Sequence, residues 1–462
     1  MSNTHEQAMQ YIFKQVLERV LDNMSRGQRA SLQLLIQRVL VAAGGIEYIG
    51  QFQLLVVHGA DARSVRLLAF LRAAQLSIAL RARETFRLRV MVTALPACNQ
   101  ETLELHERCF NTLFLHDDPR AELLMIEGQA LVPFCKRAVT SSEPWAHARE
   151  SMLLFGHLTQ GRPEALLGSR LHLQLADALH GALVCVDGAS ALVTVIPERQ
   201  RRRFLAWSRR CLRLAGEPIA TAPYLCLAST AEALARLHAL VNIPADAPEP
   251  SVRAPGLDSP LRVMAVDDLM HPTDEDTQLE RMLGVLHVGA QCLATPMPYF
   301  DIAALGYLRR LRQNLLQRAG SSTRLALKDR DSVGHLPACV QTPERFLQTS
   351  GVSEQQLVCM LHAPFVEQGR RLADYVHTCH PAMRVALPYL HRALQGKPCP
   401  EPIKQWLRDV SGLSLVQLKV IYAREVRSSV RRLLANLARR DVSLRLLKSQ
   451  AAVCEAPRQA GT

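Results

Sequence analysis

The sequence predicts an α+β protein: a mixed α/β N-terminal part followed by a predominantly helical, basic C-terminal part. Three observations carry that expectation. Apolar runs of strand length alternate with amphipathic stretches up to about Gly128. A proline-rich stretch over 243–260 divides the chain, and from about residue 340 every long pattern repeats at helix spacing.

The elements follow in order. Ile12, Val16, Val20 and Met24 recur every four residues and mark the apolar face of a first helix, broken at Gly27. A second helix, from Leu32 to Ala43, stops at Gly44-Gly45, so residues 1–45 form an N-terminal helical pair. The run FQLLVVHGAD reads as a buried strand, a helix follows over 62–82, and FRLRVMVTALP is a second strand stopped by Pro96. Strand, helix and strand in that order predict a parallel βαβ unit. AELLMIEG supplies a further strand near 121–128. In ALVCVDGASALVTVIP, two β-branched runs flank the turn signal DGAS, which predicts a β-hairpin near 182–197 within an α/β domain over 46–242.

Five prolines over 243–260 make an extended linker. LRVMAVDD then restarts the chain as a strand, opening a small α/β segment over 261–340. A helical basic domain covers 341–450, and 451–462 is a tail.

Composition narrows the function classes. A chain of 462 residues with 48% hydrophobic and 21% charged residues can bury real cores, which excludes disorder over most of its length. The net charge of +13 favours acidic partners: nucleic acid, an anionic surface or an acidic protein. The twelve cysteines form no CxxC pair and many sit in apolar runs, as buried free thiols of a reducing compartment do. No secretory signal and no apolar run of membrane-spanning length is visible, so a cytoplasmic bacterial protein is expected.

Catalytic motifs are sparse. The chain has no GxxxxGK[ST], GxGxxG or GxSxG, so the usual phosphate cradles and the nucleophile elbow are missing. His58 and Asp61 stand at the end of the first predicted strand, where open α/β sheets place ligands, and His58 titrates in the range of a general base. Asp267 and Asp268 end another strand, as Mg²⁺-holding carboxylates do and as solvated loop acids do. Cys359, His362, His377 and His380 are the metal candidates, with Cys379 beside them. At helix spacing Cys359 pairs with His362 and His377 with His380, while Cys379 points elsewhere. No cofactor is expected.

The strongest pattern is cationic. PERQRRRFLAWSRRCLRL packs seven arginines into eighteen residues. On a helical wheel Arg199, Arg202, Arg203, Arg209, Arg210 and Arg213 gather opposite a stripe holding Phe204, Trp207 and Leu212, and only Arg201 leans toward the apolar side. Near the C-terminus, Arg424, Arg427 and Arg431 share another face. These faces suit an acidic protein or a nucleic acid, although GLSLVQLKVIYAREVR, a turn followed by a helix, describes many helical pairs. The leading expectation is a non-enzymatic binding or regulatory protein that docks an acidic macromolecule through its arginine-rich helix faces. The alternatives are an enzyme with its site near His58 or Asp267/Asp268, and a structural component of a protein assembly.

Overall fold

Local signals set the first elements of the computed structural model. It describes residues 3–59, 62–82, 84–94, 100–127, 130–137, 143–163, 189–199, 262–270, 278–284, 302–318 and 351–423, with isolated positions between 201 and 213, at 347 and between 428 and 432. Helix α1 spans Asn3–Asp22 and α2 spans Arg26–Ala43. Ser25 starts α2 through a capping box: its hydroxyl accepts from the Gln28 amide at 3.2 Å, and the Gln28 side chain accepts from the Ser25 amide at 3.1 Å. Gly44 ends it in the left-handed region at φ 88°, where a Cβ is unfavourable.

The sheet comprises β1 (Gln53–His58), β2 (Arg87–Ala94), β3 (Ala121–Glu127), β4 (Ala130–Pro133), β5 (Ala191–Thr194) and β6 (Arg262–Ala265). Between them run α3 (Ala62–Ala79), α4 (Gln100–Thr112) and α5 (Glu143–Leu158). The strand order is β4-β3-β2-β1-β5-β6, with only β4 antiparallel to its neighbour. The register aligns Val56 with Val90 on one side and Val193 on the other. β1–α3–β2 is the expected parallel βαβ unit, and Leu54, Leu55, Val56, Leu88, Val90, Met91 and Val92 along its strands are buried because both faces of a parallel sheet are covered.

One expectation gives way here. Ala191–Thr194 is not an arm of an antiparallel hairpin, because parallel β1 and β6 occupy its two edges. The first arm of that hairpin lies outside the described residues. The stretch 243–260, expected as a linker, lies outside the described residues; beyond it Arg262–Ala265 forms the expected strand, which as β6 pairs with β5 in the same sheet.

The first core packs α1, α2, α3 and α4 with the inner side chains of β1 and β2. At its centre lies a charge. Arg72 is fully buried and donates to Asp118 Oδ2 at 2.6 Å, to Gln75 Oε1 at 2.7 Å and to the carbonyls of Leu113 and Phe114. Arg120 grips the same carboxylate at 2.7 Å, and both guanidinium groups stack on Phe13 of α1. Arg66 and Glu280 form a second buried ion pair, with the Arg66 Nε to Glu280 Oε1 distance at 2.6 Å, tying α3 to the short helix Gln278–Met282.

A second core is helical. It gathers α5, α6 (Ile302–Arg318), α7 (Glu354–His362), α8 (Leu372–Cys379), α9 (Leu387–Leu394), α10 (Glu401–Ser411) and α11 (Leu415–Ala423). Helix α5 reaches into this core from the N-terminal half through Met152, Leu153, Leu154 and Phe155. Its end abuts α7 backbone to backbone: a Cβ on Gly161, at φ 66°, would lie 2.1 Å from the Leu361 carbonyl oxygen. Gly161→Ala is therefore expected to cost more than about 2 kcal/mol, seen as a lowered thermal midpoint, whereas Ala at the open Gly306 should be silent or stabilising.

The five cysteines among the described residues, Cys109, Cys135, Cys359, Cys379 and Cys399, are free thiols. Among the described residues no helix is long and apolar enough to cross a membrane.

Candidate functional site

Parallel pairing sends the ends of β1, β2, β3, β5 and β6 to one edge of the sheet. The strand order reverses between β1 and β5, and open parallel sheets place ligands at such a switch point, beyond the carboxyl ends of the strands. Three sequence candidates meet along this edge: His58, the Asp267/Asp268 pair and the start of the arginine helix.

His58 ends β1 and is fully buried. Its Nδ1 lies 2.7 Å from Nδ1 of His106 on α4, with the rings edge to face and Phe110 beside both. One nitrogen of such a pair must carry a proton and the other a lone pair. Burial pulls His58 well below the usual imidazole range, and the neighbouring His106 adds to the effect. Burial alone pulls His106 down to about 3. Both rings are therefore neutral near pH 7, and among the described residues His58 Nε2 has no hydrogen-bond partner. Asp61 lies outside the described residues.

Asp267 and Asp268 sit in the turn Asp267–Leu269 that follows β6. Arginines hold both. Arg38 of α2 grips Asp268 as a two-pronged fork at 2.8 and 2.5 Å and also donates to the Ala265 carbonyl. Its guanidinium is raised above the ordinary value chiefly by the hydrogen bond to Asp268. Arg201 donates to Asp267 Oδ1 at 2.6 Å. The carboxylates thus serve as anchors for two cationic elements and are not presented as a bare acidic pair.

The second anchor explains the arginine helix. Glu198, Arg199, Arg201, Arg202, Ala206, Arg209, Arg210 and Arg213 are helical. Arg201, the one arginine the wheel turns inward, retains 14% side-chain exposure and is bound to Asp267. Arg199, Arg202, Arg210 and Arg213 are exposed, and Arg209 is half-buried. Arg202 pairs with Glu198 one turn back. Of the remaining arginine candidates, the side chains of Arg203, Arg424 and Arg427 lie outside the described residues, and Arg431 is exposed.

The Cys/His candidates sit elsewhere, in the helical core: Cys359 and His362 both lie against Tyr375, whereas His377 and His380 do not share a helix face. Helix α8 stops at Cys379, and His380 leaves helical geometry at φ −140°, ψ 60°. Cys379 Sγ therefore comes within 3.8 Å of His362 Nε2, and His380 Nε2 lies 3.1 Å from the Tyr375 hydroxyl. His377 is exposed and turned away. Cys359 is buried against Tyr375, and burial pushes its thiol up. Burial, aided by the Arg371 charge, brings His362 down to about 4. Among the described residues no group of three or more His, Cys, Asp or Glu side chains is placed to hold a metal ion.

No protein-family model, curated protein or solved structure matches this chain.

Sequence reasoning missed His106, Arg38, and the Arg72–Asp118 and Arg66–Glu280 pairs. Arg72 carried a visible signal, since a lone charge inside AFLRAAQL has no polar face to occupy. His106 carried none, because its meeting with His58 follows from the way α4 lies on the sheet.

Proposed function

We propose that the protein is a non-enzymatic binding or regulatory protein that docks an acidic macromolecule through its arginine-bearing helix faces. One observation carries the reading. The helix after β5 uses Arg201 as an internal anchor on Asp267 and turns Arg199, Arg202, Arg210 and Arg213 to solvent. Exposed guanidinium groups on one helix suit phosphate or carboxylate recognition, because the planar fork matches both anions. The enzyme alternative has less support, since His58 is buried and both aspartates are held by arginine.

The test is salt-dependent binding of the full chain to a duplex DNA, an RNA and polyglutamate. Arg199/Arg210/Arg213→Glu should abolish binding to whichever polymer the wild type prefers. If the polymer is duplex DNA, a less complete replacement by alanine should reduce the slope of log affinity against log salt by about 0.9 per lost phosphate contact. Absence of salt-sensitive binding to all three would end this reading.

An assembly role is favoured by one feature. Leu34 and Val41, seven residues apart on α2, are 55% and 78% exposed, with Ile46 and Tyr48 open just beyond. Leu34→Lys/Val41→Lys should then shift the sedimentation profile toward a smaller species, and an unchanged profile removes that role for α2.

A further inference from the structure

We infer that α9, α10 and α11 form a helix-turn-helix unit that binds double-stranded DNA with the open face of α11. The inference deepens the acidic-partner reading by naming the partner, and rests on it for the sign of the charge alone.

The unit is built from local rules. Each of the three helices packs against the other two. Helices α10 and α11 are joined by only three residues, Gly412, Leu413 and Ser414. That length, with a glycine in the turn, is the connection of DNA-binding helix pairs. Gly412 stands in the left-handed region at φ 68°, and a Cβ there would also lie 2.6 Å from Leu153 Cδ1. Ser411, fully buried, locks the bend: its hydroxyl donates to the Leu407 carbonyl at 2.6 Å and accepts from the Leu413 amide at 3.1 Å. Ser414 then opens α11 by a capping box with Gln417, its amide donating to Gln417 Oε1 at 2.9 Å.

Burial divides the pair as such a unit requires. Leu407, Val410, Leu413, Leu418 and Ile421 face the core at 2% exposure or less. The opposite side of α11 carries Val416, Lys419 and Ala423, all exposed and spaced along one face. Ser428 and residues 430–432 are also helical, and Arg431 and Arg432 there are exposed.

The chemistry of that face selects the partner. LVQLKVIYA contains no acid, so nothing on α11 repels phosphate. Val416 is 61% exposed, an apolar side chain flanked by polar and cationic ones. In a major groove, small apolar groups touch thymine methyls while Lys and Arg reach guanine edges or phosphates. The groove, about 12 Å wide, admits one α-helix, which the single open face of α11 can supply. Preceding it, α10 has its N-terminal Glu401 already held by Lys404 at 2.8 Å and by Arg408, which leaves less negative charge facing a phosphate backbone.

The test uses the full chain and a fluorescein-labelled 25-base-pair duplex of random sequence in low salt. Wild type should bind with a steep salt dependence, and selection from a random duplex pool should enrich a sequence motif. Lys419→Glu/Ala423→Glu, both at exposed positions, should weaken duplex binding at least tenfold with an unchanged melting curve. Val416→Asp should flatten the enriched motif while retaining part of the affinity. Duplex binding unaffected by Lys419→Glu/Ala423→Glu, or matched by polyglutamate at equal charge, would overturn the inference. The Arg199/Arg210/Arg213→Glu chain separates it from the preceding reading. If that chain keeps duplex binding and the α11 variants lose it, the unit stands and the arginine helix after β5 is not the grip. If only the arginine variant loses binding, the unit falls and the earlier reading stands.

Discussion

Replacing Arg72 by alanine is expected to destabilise the N-terminal core by about 3–5 kcal/mol, the cost of removing one partner from a buried ion pair. The loss exceeds that of an ordinary salt bridge because four hydrogen bonds leave this one buried guanidinium. Asp118, Gln75 and two backbone carbonyls would be left without their donor, and the Asp118 carboxylate would keep only Arg120. Arg72→Met, which keeps the stem and removes the charge, should cost a similar amount for the same reason. The change should appear in urea titration followed by near-ultraviolet circular dichroism. A shift below about 1 kcal/mol would mean that water or Arg120 substitutes for the missing fork.

Acidification is expected to weaken the fold well before the carboxylates titrate. His106 and His157 are held neutral by burial, each at about 3, and His58 is lowered in the same direction. Unfolded histidine protonates near 6.5, so below that pH the unfolded chain takes up protons the folded chain refuses. Stability contributed by these groups is complete above about pH 6.5. It falls by about 1.4 kcal/mol per pH unit for each histidine as the pH drops toward 3. Asp118 acts later. Burial alone would raise it, but hydrogen bonds from Arg120 and the charge of Arg72 outweigh that and hold it at about 2, so its share is lost between about pH 4 and 2. His157 offers the cleanest test, because among the described residues neither ring nitrogen has a hydrogen-bond partner and the ring packs on Phe365. His157→Phe should remove one proton from the pH dependence and leave stability at pH 7.5 unchanged or raised. Equal stability of the wild type at pH 7.5 and pH 5 would contradict the assignment.

Much of the fold is legible in the chain because its signals are local. The period of the apolar residues sets α1, α2 and α3, Ser25 and Gly44 mark the ends of α2, and β-branched runs mark β1 and β2. Pairing is another matter. DGAS is a sound turn signal, yet Ala191–Thr194 pairs with strands that lie far away in sequence on both sides, and no local pattern records that choice. LRVMVTALP and LRVMAVDDL look alike because each contributes a strand to the same sheet. The site was half legible for the same reason. The wheel separates Arg201 from its neighbours, but its partner Asp267 comes from 66 residues further along the chain. For the Cys/His cluster the helix rule failed where the helix itself stops, one residue before His380.

The late arrival of β5 has a consequence for synthesis. Gln53 and Ser190, which meet at the start of the β1–β5 pairing, are 137 residues apart. A ribosome adding about 5–20 residues per second needs roughly 7–27 s to make that interval. In its later part, once Pro133 has been added, β1 to β4 can already be paired while the free edge of β1 waits, open to strands from other nascent chains. Slower translation between the codons for His58 and Thr194 should therefore raise the insoluble fraction in the cell, and raised levels of a chaperone that covers nascent apolar strands should restore it. The demand this chain makes on the cell that builds it is set by where its strand order turns back on itself.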